Sequence, residues 1–219
     1  MRLMGRRAFV QTQTVAGYAP LVPEISLRLA GDVTELWRAT EEWLETRAVE
    51  PPFWAFAWAG GQALARYLLD HPDVVRGKDV VDVACGGGIV ALAAAMAGAR
   101  CVRAYDVDAL AVQATQINAE ANGLSIDALC AAAEELDVTA HVVTAGDVFY
   151  DAAMTARLLP WLGAQAERGV AVLVGDPGRA YRPEAGLRAL EHYEVQTPVD
   201  LEGQKTRTAT VYVVNMVRR

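Results

Sequence analysis

Between Val80 and Gly88 the chain reads Val-Val-Asp-Val-Ala-Cys-Gly-Gly-Gly, an acidic residue inside an apolar β-rich run that ends in three glycines. Such a run suits a parallel strand buried on both faces, and the glycines suit a tight strand-to-helix turn. Without Cβ atoms in the way, the backbone N–H groups of that turn can approach a ligand closely. Asp82, inside the strand, has to be hydrogen-bonded, because an unpaired buried carboxylate is costly. About 20 residues after the loop, Tyr105-Asp106-Val107-Asp108 puts carboxylates at the end of a second strand. One of them can accept from both hydroxyls of a ribose. Asp106 is the candidate for that role, and Asp108 for the cap of the next helix.

The glycine spacing separates two ligand classes. A dinucleotide G-x-G-x-x-G fits poorly, matching only in its looser form through Ala91, and its strand would not normally carry Asp82. Read as acidic-x-small-x-Gly-x-Gly, the match is Asp82, Ala84, Gly86 and Gly88, with Ala84 where a glycine is usual. That pattern goes with S-adenosylmethionine, which has no pyrophosphate and needs an acidic partner for its amino group. A nicotinamide oxidoreductase would carry the same Asp106, but no general acid is placed to receive the proton linked to hydride transfer. A glycine-rich turn with no ligand is the remaining reading.

Two further clusters bear on chemistry. Pro51-Pro52-Phe53-Trp54-Ala55-Phe56-Ala57-Trp58-Ala59-Gly60-Gly61 precedes a helical stretch. Its rings are either core contacts of an extended segment or the walls of a site. In the second reading Trp58, Gly60 and Gly61 close over the cofactor while Trp54 or Phe56 walls the substrate pocket, since an aromatic wall suits a sulfonium cation and excludes water. After the fourth strand, Gly146-Asp147-Val148-Phe149-Tyr150 falls at the carboxyl end of the sheet, where ligands of open α/β sheets bind. Asp147 and Tyr150 can bind and orient an amine, and a dry pocket keeps such an amine neutral and nucleophilic. The alternative is that Asp147 caps a turn and Tyr150 packs. Asp176 and Arg179, in Gly-Asp-Pro-Gly-Arg, are substrate-binding candidates at the same edge, although Asp-Pro-Gly is also good turn chemistry.

Composition narrows the classes. A net charge of -7 over 219 residues argues against sequence-independent binding to nucleic acid. Cys85, Cys101 and Cys130 form no C-x-x-C pair, so neither a disulfide framework nor a metal site is expected, and reduced, mostly buried thiols are. The three histidines are scattered and form no ligand or triad pattern. The N-terminus has no apolar run of the length a signal peptide core requires, and no stretch reaches the length of a membrane span, which predicts a cytoplasmic protein.

The elements that position these residues follow from periodicity. Ile25, Leu27 and Leu29 alternate as a short strand. A helix carrying Leu36, Trp37, Thr40, Trp43 and Leu44 follows, with Asp32 as its cap, and Pro51-Pro52 stops it. Residues 1–52 are read as an extension packed on one domain spanning 53–219. In that domain strands are predicted at 80–84, 101–105, 128–131, 141–145 and 170–175, with helices over 89–97, 108–122 and 152–166. The alternation gives a doubly wound α/β fold, a mostly parallel sheet with helices on both faces. Strands at 193–197 and 208–215 add an antiparallel pair at the end.

Taken in order, PPFWAFAWAGGQALARYLL, DVACGGG, YDVD, GDVFYD and VLVGDPGRAY resemble the electron transfer flavoprotein beta-subunit lysine methyltransferases and their bacterial relatives. The resemblance runs from about Pro23 to Val214. The tryptophan-rich segment and GDPGRAY are its specific parts. It implies a seven-stranded class I methyltransferase sheet, S-adenosylmethionine as cofactor and a protein lysine as acceptor, in the flavoprotein subunit or the ribosomal stalk protein. The family's acidic-x-x-Tyr signature falls on Asp147 and Tyr150. Departures are Ala84 for a glycine and Ala59 for a proline. The rival readings are a small-molecule N-methyltransferase, of the nicotinamide kind that bacterial members have been labelled, and a cofactor-binding regulator without turnover.

Overall fold

The computed structural model describes residues 5–44 and 52–215. Pro51 lies outside these residues, and the side chains of Trp37 and Leu44 are not described. Strands β3 (Asp79–Val83), β4 (Cys101–Asp106), β5 (Asp127–Cys130), β6 (Val142–Gly146), β7 (Ala171–Asp176), β8 (Leu187–Gln196) and β9 (Thr206–Val214) form one sheet. Its order is β5-β4-β3-β6-β7-β9-β8. The first five strands pair in parallel, and β9 runs antiparallel to both β7 and β8. The chain winds outward from β3 to β5, then restarts on the other side of β3 with β6. That reversal creates a crevice at the carboxyl ends of β3 and β6, the usual ligand position in open α/β sheets.

Helices α3 (Ala59–Asp70), α4 (Ile89–Met96), α5 (Ala109–Ala121) and α6 (Ala152–Glu167) complete the domain. One core cluster joins α3 and α4 to the sheet through Leu64, Leu68, Val80 and Leu92. A second, on the other face, joins α6 to it through Val81, Val143, Phe149 and Leu162. The predicted caps are present: Asp108 accepts from the N–H of Leu110 at 2.7 Å. Asp32 accepts from that of Glu35 at 2.9 Å.

The N-terminal region holds more structure than its periodicity suggests. Helix α1 (Arg6–Gln13) and strand β1 (Val15–Ala19) precede β2 (Val22–Leu29), and α2 (Val33–Leu44) follows. Strands β1 and β2 form a separate antiparallel hairpin. Only Phe9 and Val10 of α1 are buried, and β1 is mostly exposed, so neither carries a regular apolar pattern. The hairpin is held to α5 by two amide side chains. Asn122 accepts from the Ser26 N–H at 2.9 Å and donates to the Ser26 carbonyl at 2.7 Å. Asn118 accepts from the Arg28 N–H at 2.8 Å and donates to the Gly87 carbonyl at 2.8 Å, bridging β2 and the glycine loop.

Two expectations are corrected. β8 begins six residues earlier than the predicted 193, because a register shift between Ala189 and Glu191 resets the alternation that marks a strand. Of the three cysteines only Cys85 is buried, and Cys101 and Cys130, on strands near the β5 edge, are exposed.

Ala84 takes a φ of +52°, in the left-handed region. An L side chain there costs about 1 kcal/mol or more, and the extra freedom that glycine gains in the unfolded chain offsets part of it. Ala84→Gly is therefore expected to stabilise the fold by about 0.5 kcal/mol, read as a higher urea midpoint. A lower midpoint would mean that the packing of the Ala84 methyl on the second core cluster outweighs the strain.

Candidate active site

The glycine turn, the aromatic segment and the ends of β3 and β6 enclose a cleft. Asp82 is paired in register with Thr144 of β6, whose hydroxyl donates to Asp82 Oδ1 at 2.7 Å. Asp82 Oδ2 lies buried with no hydrogen-bond partner among the described residues. Burial pushes this carboxyl up to about 7, against the pull of the Thr144 hydroxyl and the Ala91 N–H. Ala84, Cys85, Gly86 and Gly87 form the adjacent wall. The Gly86 N–H donates to Asp106 Oδ2 at 2.8 Å and the Asp108 N–H to Oδ1 at 2.9 Å. Asp106 thus fastens the glycine turn to the end of β4, with its carboxyl raised by burial. It does not line the cleft itself.

The aromatic segment lies directly on this turn. A Cβ on Gly87 would come within 2.8 Å of the Trp54 carbonyl, so backbone meets backbone here. Trp54 is buried among Phe9, Leu110 and Ala114, which makes it a core residue with one edge on the cleft. Trp58 donates its indole N–H to the Phe53 carbonyl at 2.8 Å, and its ring meets those of Phe53 and Phe56 at centroid distances of 5.7 and 6.1 Å. A second cavity, of about 320 Å³, opens between the β1–β2 hairpin, the start of α3 and α7 (Val199–Glu202). Leu29, Phe56, Ala57 and Trp58 line both spaces and partition them.

Asp147 sits at the end of β6 with a φ of +56°, a conformation that Asp tolerates better than most residues. Its Oδ2 accepts from the Gly61 N–H at 2.8 Å, at the N-terminus of α3. Its Oδ1 accepts from Arg179 Nε at 2.9 Å and Nη2 at 2.6 Å. Burial raises the carboxyl to about 6 although Arg179 opposes it. Arg179 also donates to both carboxylate oxygens of Glu202, at 3.0 and 2.9 Å, and stands 5.5 Å from the Trp58 ring centroid. Arg207 Nε lies 3.3 Å from Glu202 Oε2.

The predicted site residues therefore divide. Asp82, Ala84, Gly86, Trp54, Phe56, Trp58 and Asp147 meet in one cleft. Gly60 is packed too tightly for ligand contact: a Cβ there would fall 2.6 Å from Asp147 Oδ2 and closer still to the Gly175 carbonyl. Gly88 faces Thr115 and starts α4. Tyr150 is exposed, its ring 5.3 Å from that of Phe53. Asp176 accepts from the N–H groups of Gly178 and Arg179, the turn alternative weighed from the sequence. Arg179 gives its guanidinium to two carboxylates of its own chain. Gly61, expected beside the cofactor, lines the cleft and gives its N–H to Asp147. Thr144 and Glu202 escaped sequence reasoning: Thr144 is an ordinary residue of a buried strand, and Glu202 lies in a polar stretch, Asp-Leu-Glu-Gly-Gln-Lys, that reads as a loop. Among the described residues no cluster of His, Cys, Asp and Glu could hold a metal ion. None of their helices is long and apolar enough to cross a membrane.

The profile of the ribosomal protein L11 methyltransferase (PrmA) family matches residues 62–149, which include the glycine turn, Asp106 and Asp147. Among solved structures, the ribosomal protein L11 methylase of Lactobacillus delbrueckii subsp. bulgaricus superposes with a TM-score of 0.53 at 19% identity, over 74% of this chain and 81% of that one. The magnesium protoporphyrin IX methyltransferase of Synechocystis PCC 6803, solved with S-adenosylmethionine, gives 0.52 at 18%, over 71% and 78%. These likenesses establish the fold. Sequence relatives are nearer. The electron transfer flavoprotein beta subunit lysine methyltransferase of Xenopus laevis is 42% identical over 187 residues, 80% of this chain and 71% of its own. That of Homo sapiens is 38% identical over 192 residues, 85% and 71%. With that identity over most of its length, the chain belongs to the family of the electron transfer flavoprotein beta subunit lysine methyltransferases.

Proposed function

We propose that this chain binds S-adenosylmethionine in the cleft beside Asp82 and transfers its methyl group to the ε-amine of a protein lysine. The observation that carries the reading is the buried, unpartnered Oδ2 of Asp82, set in a cleft walled by a glycine turn. A carboxylate oxygen so placed fits an ammonium group such as that of the cofactor's methionine end. The glycine turn lets the Trp54 backbone close directly on it, since a Cβ on Gly87 would strike the Trp54 carbonyl, and so brings the aromatic segment against the cleft. When bound, the cofactor supplies a sulfonium methyl group for in-line displacement by a neutral amine.

The chain's own residues do the remaining work by position. Asp82 accepts from the ammonium and orients it. Asp106, already holding Gly86, has lone pairs left for ribose hydroxyls. The rings of Phe53, Phe56 and Trp58 exclude water and disfavour a charged acceptor, which lowers the pKa of an entering lysine towards its neutral form. Asp147 accepts three N–H bonds and retains capacity for an acceptor amine, and Tyr150 stands at the outer edge of the same segment. The protein we propose as acceptor is the electron transfer flavoprotein beta subunit, for which the relatives are named.

The decisive experiment incubates the purified chain with radiolabelled S-adenosylmethionine and an extract depleted of small molecules, followed by gel separation and mass spectrometry. Label resolved to methyl-lysine is expected. Label that appears only when the small-molecule fraction is restored would replace this reading with a metabolite N-methyltransferase. A separate test concerns Asp82. Its folded value of about 7 lies above the ordinary 3.8, so the proton it holds favours folding. That stabilisation is complete below the ordinary value and is lost as pH rises through the folded one. Asp82→Asn should therefore gain thermal stability relative to the unsubstituted chain at pH 8 compared with pH 5. It should also bind S-adenosylhomocysteine about tenfold or more weakly at pH 8, the cost of one charge-assisted hydrogen bond. Unchanged affinity would remove Asp82 from the cofactor site.

A further inference from the structure

Beyond the cleft, the structure holds a buried row of alternating charges: Asp147, Arg179, Glu202 and Arg207. Each link is short. Arg179 donates twice to Asp147 and twice to Glu202, at distances from 2.6 to 3.0 Å, and Arg207 closes on Glu202 at 3.3 Å. The Glu202 side chain is only 2% exposed. Burying a carboxylate in this way is costly unless both oxygens are engaged, and here both are. The cost is spent at a place with no evident need for it, since α7 is a single turn in the connection between β8 and β9.

What the row joins explains it. Asp147 lines the first cleft and Glu202 lines the second cavity, while Arg179 spans the two and faces the Trp58 ring that borders both. Asp147 also keeps a left-handed backbone that its side-chain bonds must hold. A guanidinium bonded to Asp147 alone could swing on its flexible stem. Fixed by Glu202 as well, it has one orientation, and with it Asp147 and the Trp58 ring have theirs. We propose that Glu202 is a positioning residue for the acceptor side of the site, acting through Arg179 on Asp147 and Trp58. The proposal rests on the methyltransferase reading for its kinetic consequence and on geometry alone for its hold on Asp147.

The charges facing Asp147 are Arg179, from the turn after β7, and Glu202, from α7; the N-terminus of α3 meets it through the Gly61 N–H. Those facing Glu202 are Arg179 and Arg207, from β9. Removing the Glu202 charge takes away a group that raises the Asp147 carboxyl and leaves Arg179 to Asp147 alone. Asp147 must then titrate lower.

The test compares Glu202→Gln and Glu202→Asp with the unsubstituted chain in the full-length protein. Carbon-13 NMR of the aspartate carboxyls, assigned through Asp147→Asn, follows the titration of Asp147. Glu202→Gln should move it from about 6 towards the ordinary carboxylate range, and Glu202→Asp should restore part of the difference. With the flavoprotein subunit as acceptor, Glu202→Gln should raise the acceptor KM about tenfold, as for the loss of one charged hydrogen bond. The affinity for S-adenosylhomocysteine, measured by calorimetry, should stay within about twofold. A lower melting temperature with unchanged Asp147 titration and unchanged acceptor KM would overturn the proposal and make Glu202 a staple of the fold only. Equal losses in cofactor and acceptor binding would overturn it too. If the unsubstituted chain methylates no lysine, the activity reading falls, and the NMR titration still decides whether Glu202 governs Asp147.

Discussion

The site depends on how closely the N-terminus of α3 can be brought onto the ends of β6 and β7. Glycine faces glycine at this contact: Gly60 against Gly175, and Gly61 against Gly146, where a Cβ would fall 2.9 Å from the opposing Cα. Only that approach lets the Gly61 N–H reach the Asp147 carboxylate. The bond satisfies one of the free donors of a helix start and places a negative charge where the helix dipole favours one. Because α3 follows directly on the aromatic segment, the same contact sets Trp58 over the cleft and Trp54 against the glycine turn. Were the helix set back by one side chain, the cleft would lose its wall.

This arrangement concentrates acids in the dry part of the molecule. Asp82, Asp106, Asp147 and Asp176 are all raised by burial, each at or just beyond the carboxyl end of a strand. Their compensation differs. Asp106 and Asp176 are met by backbone N–H groups, which cannot leave. Asp147 is met by an arginine as well as a helix start. Asp82 and Asp176 each keep one buried oxygen without a partner among the described residues, but of the two only Asp82 lines the cleft, and that placement sets it apart from the carboxylates that hold the scaffold.

Much of this was legible in the sequence, for reasons that can be located. From β3 through α5 the predicted elements agree with the observed ones to within one or two residues. Strands buried on both faces read as continuous apolar runs, and the glycines and Asp108 mark the helix limits. The cleft residues followed from the same segment, since a strand-to-helix turn places its neighbours by local geometry. What stayed hidden depends on long-range pairing or on broken periodicity. The bulge near Ala189 concealed half of β8, and α1 and β1 bury too little to show a pattern. The partnership of Arg179 with Asp147 and Glu202 joins residues 32 and 23 positions apart, and no spacing rule connects them. Gly60 looked like a ligand-binding glycine because close approach has the same signature whether the neighbour is a cofactor or a carbonyl.

Asn118 gives the N-terminal hairpin a meaning beyond attachment. One side-chain amide reads the backbone of β2 with its oxygen and the carbonyl of Gly87 with its nitrogen. The hairpin's alignment along α5 is thereby referenced to the glycine turn itself. A slip of β2 by a single residue would present the wrong face of its backbone to both Asn118 and Asn122, leaving buried amide groups without partners. The N-terminal hairpin therefore acts as a gauge: the alignment that satisfies Asn118 on β2 is also the one that holds the Gly87 carbonyl.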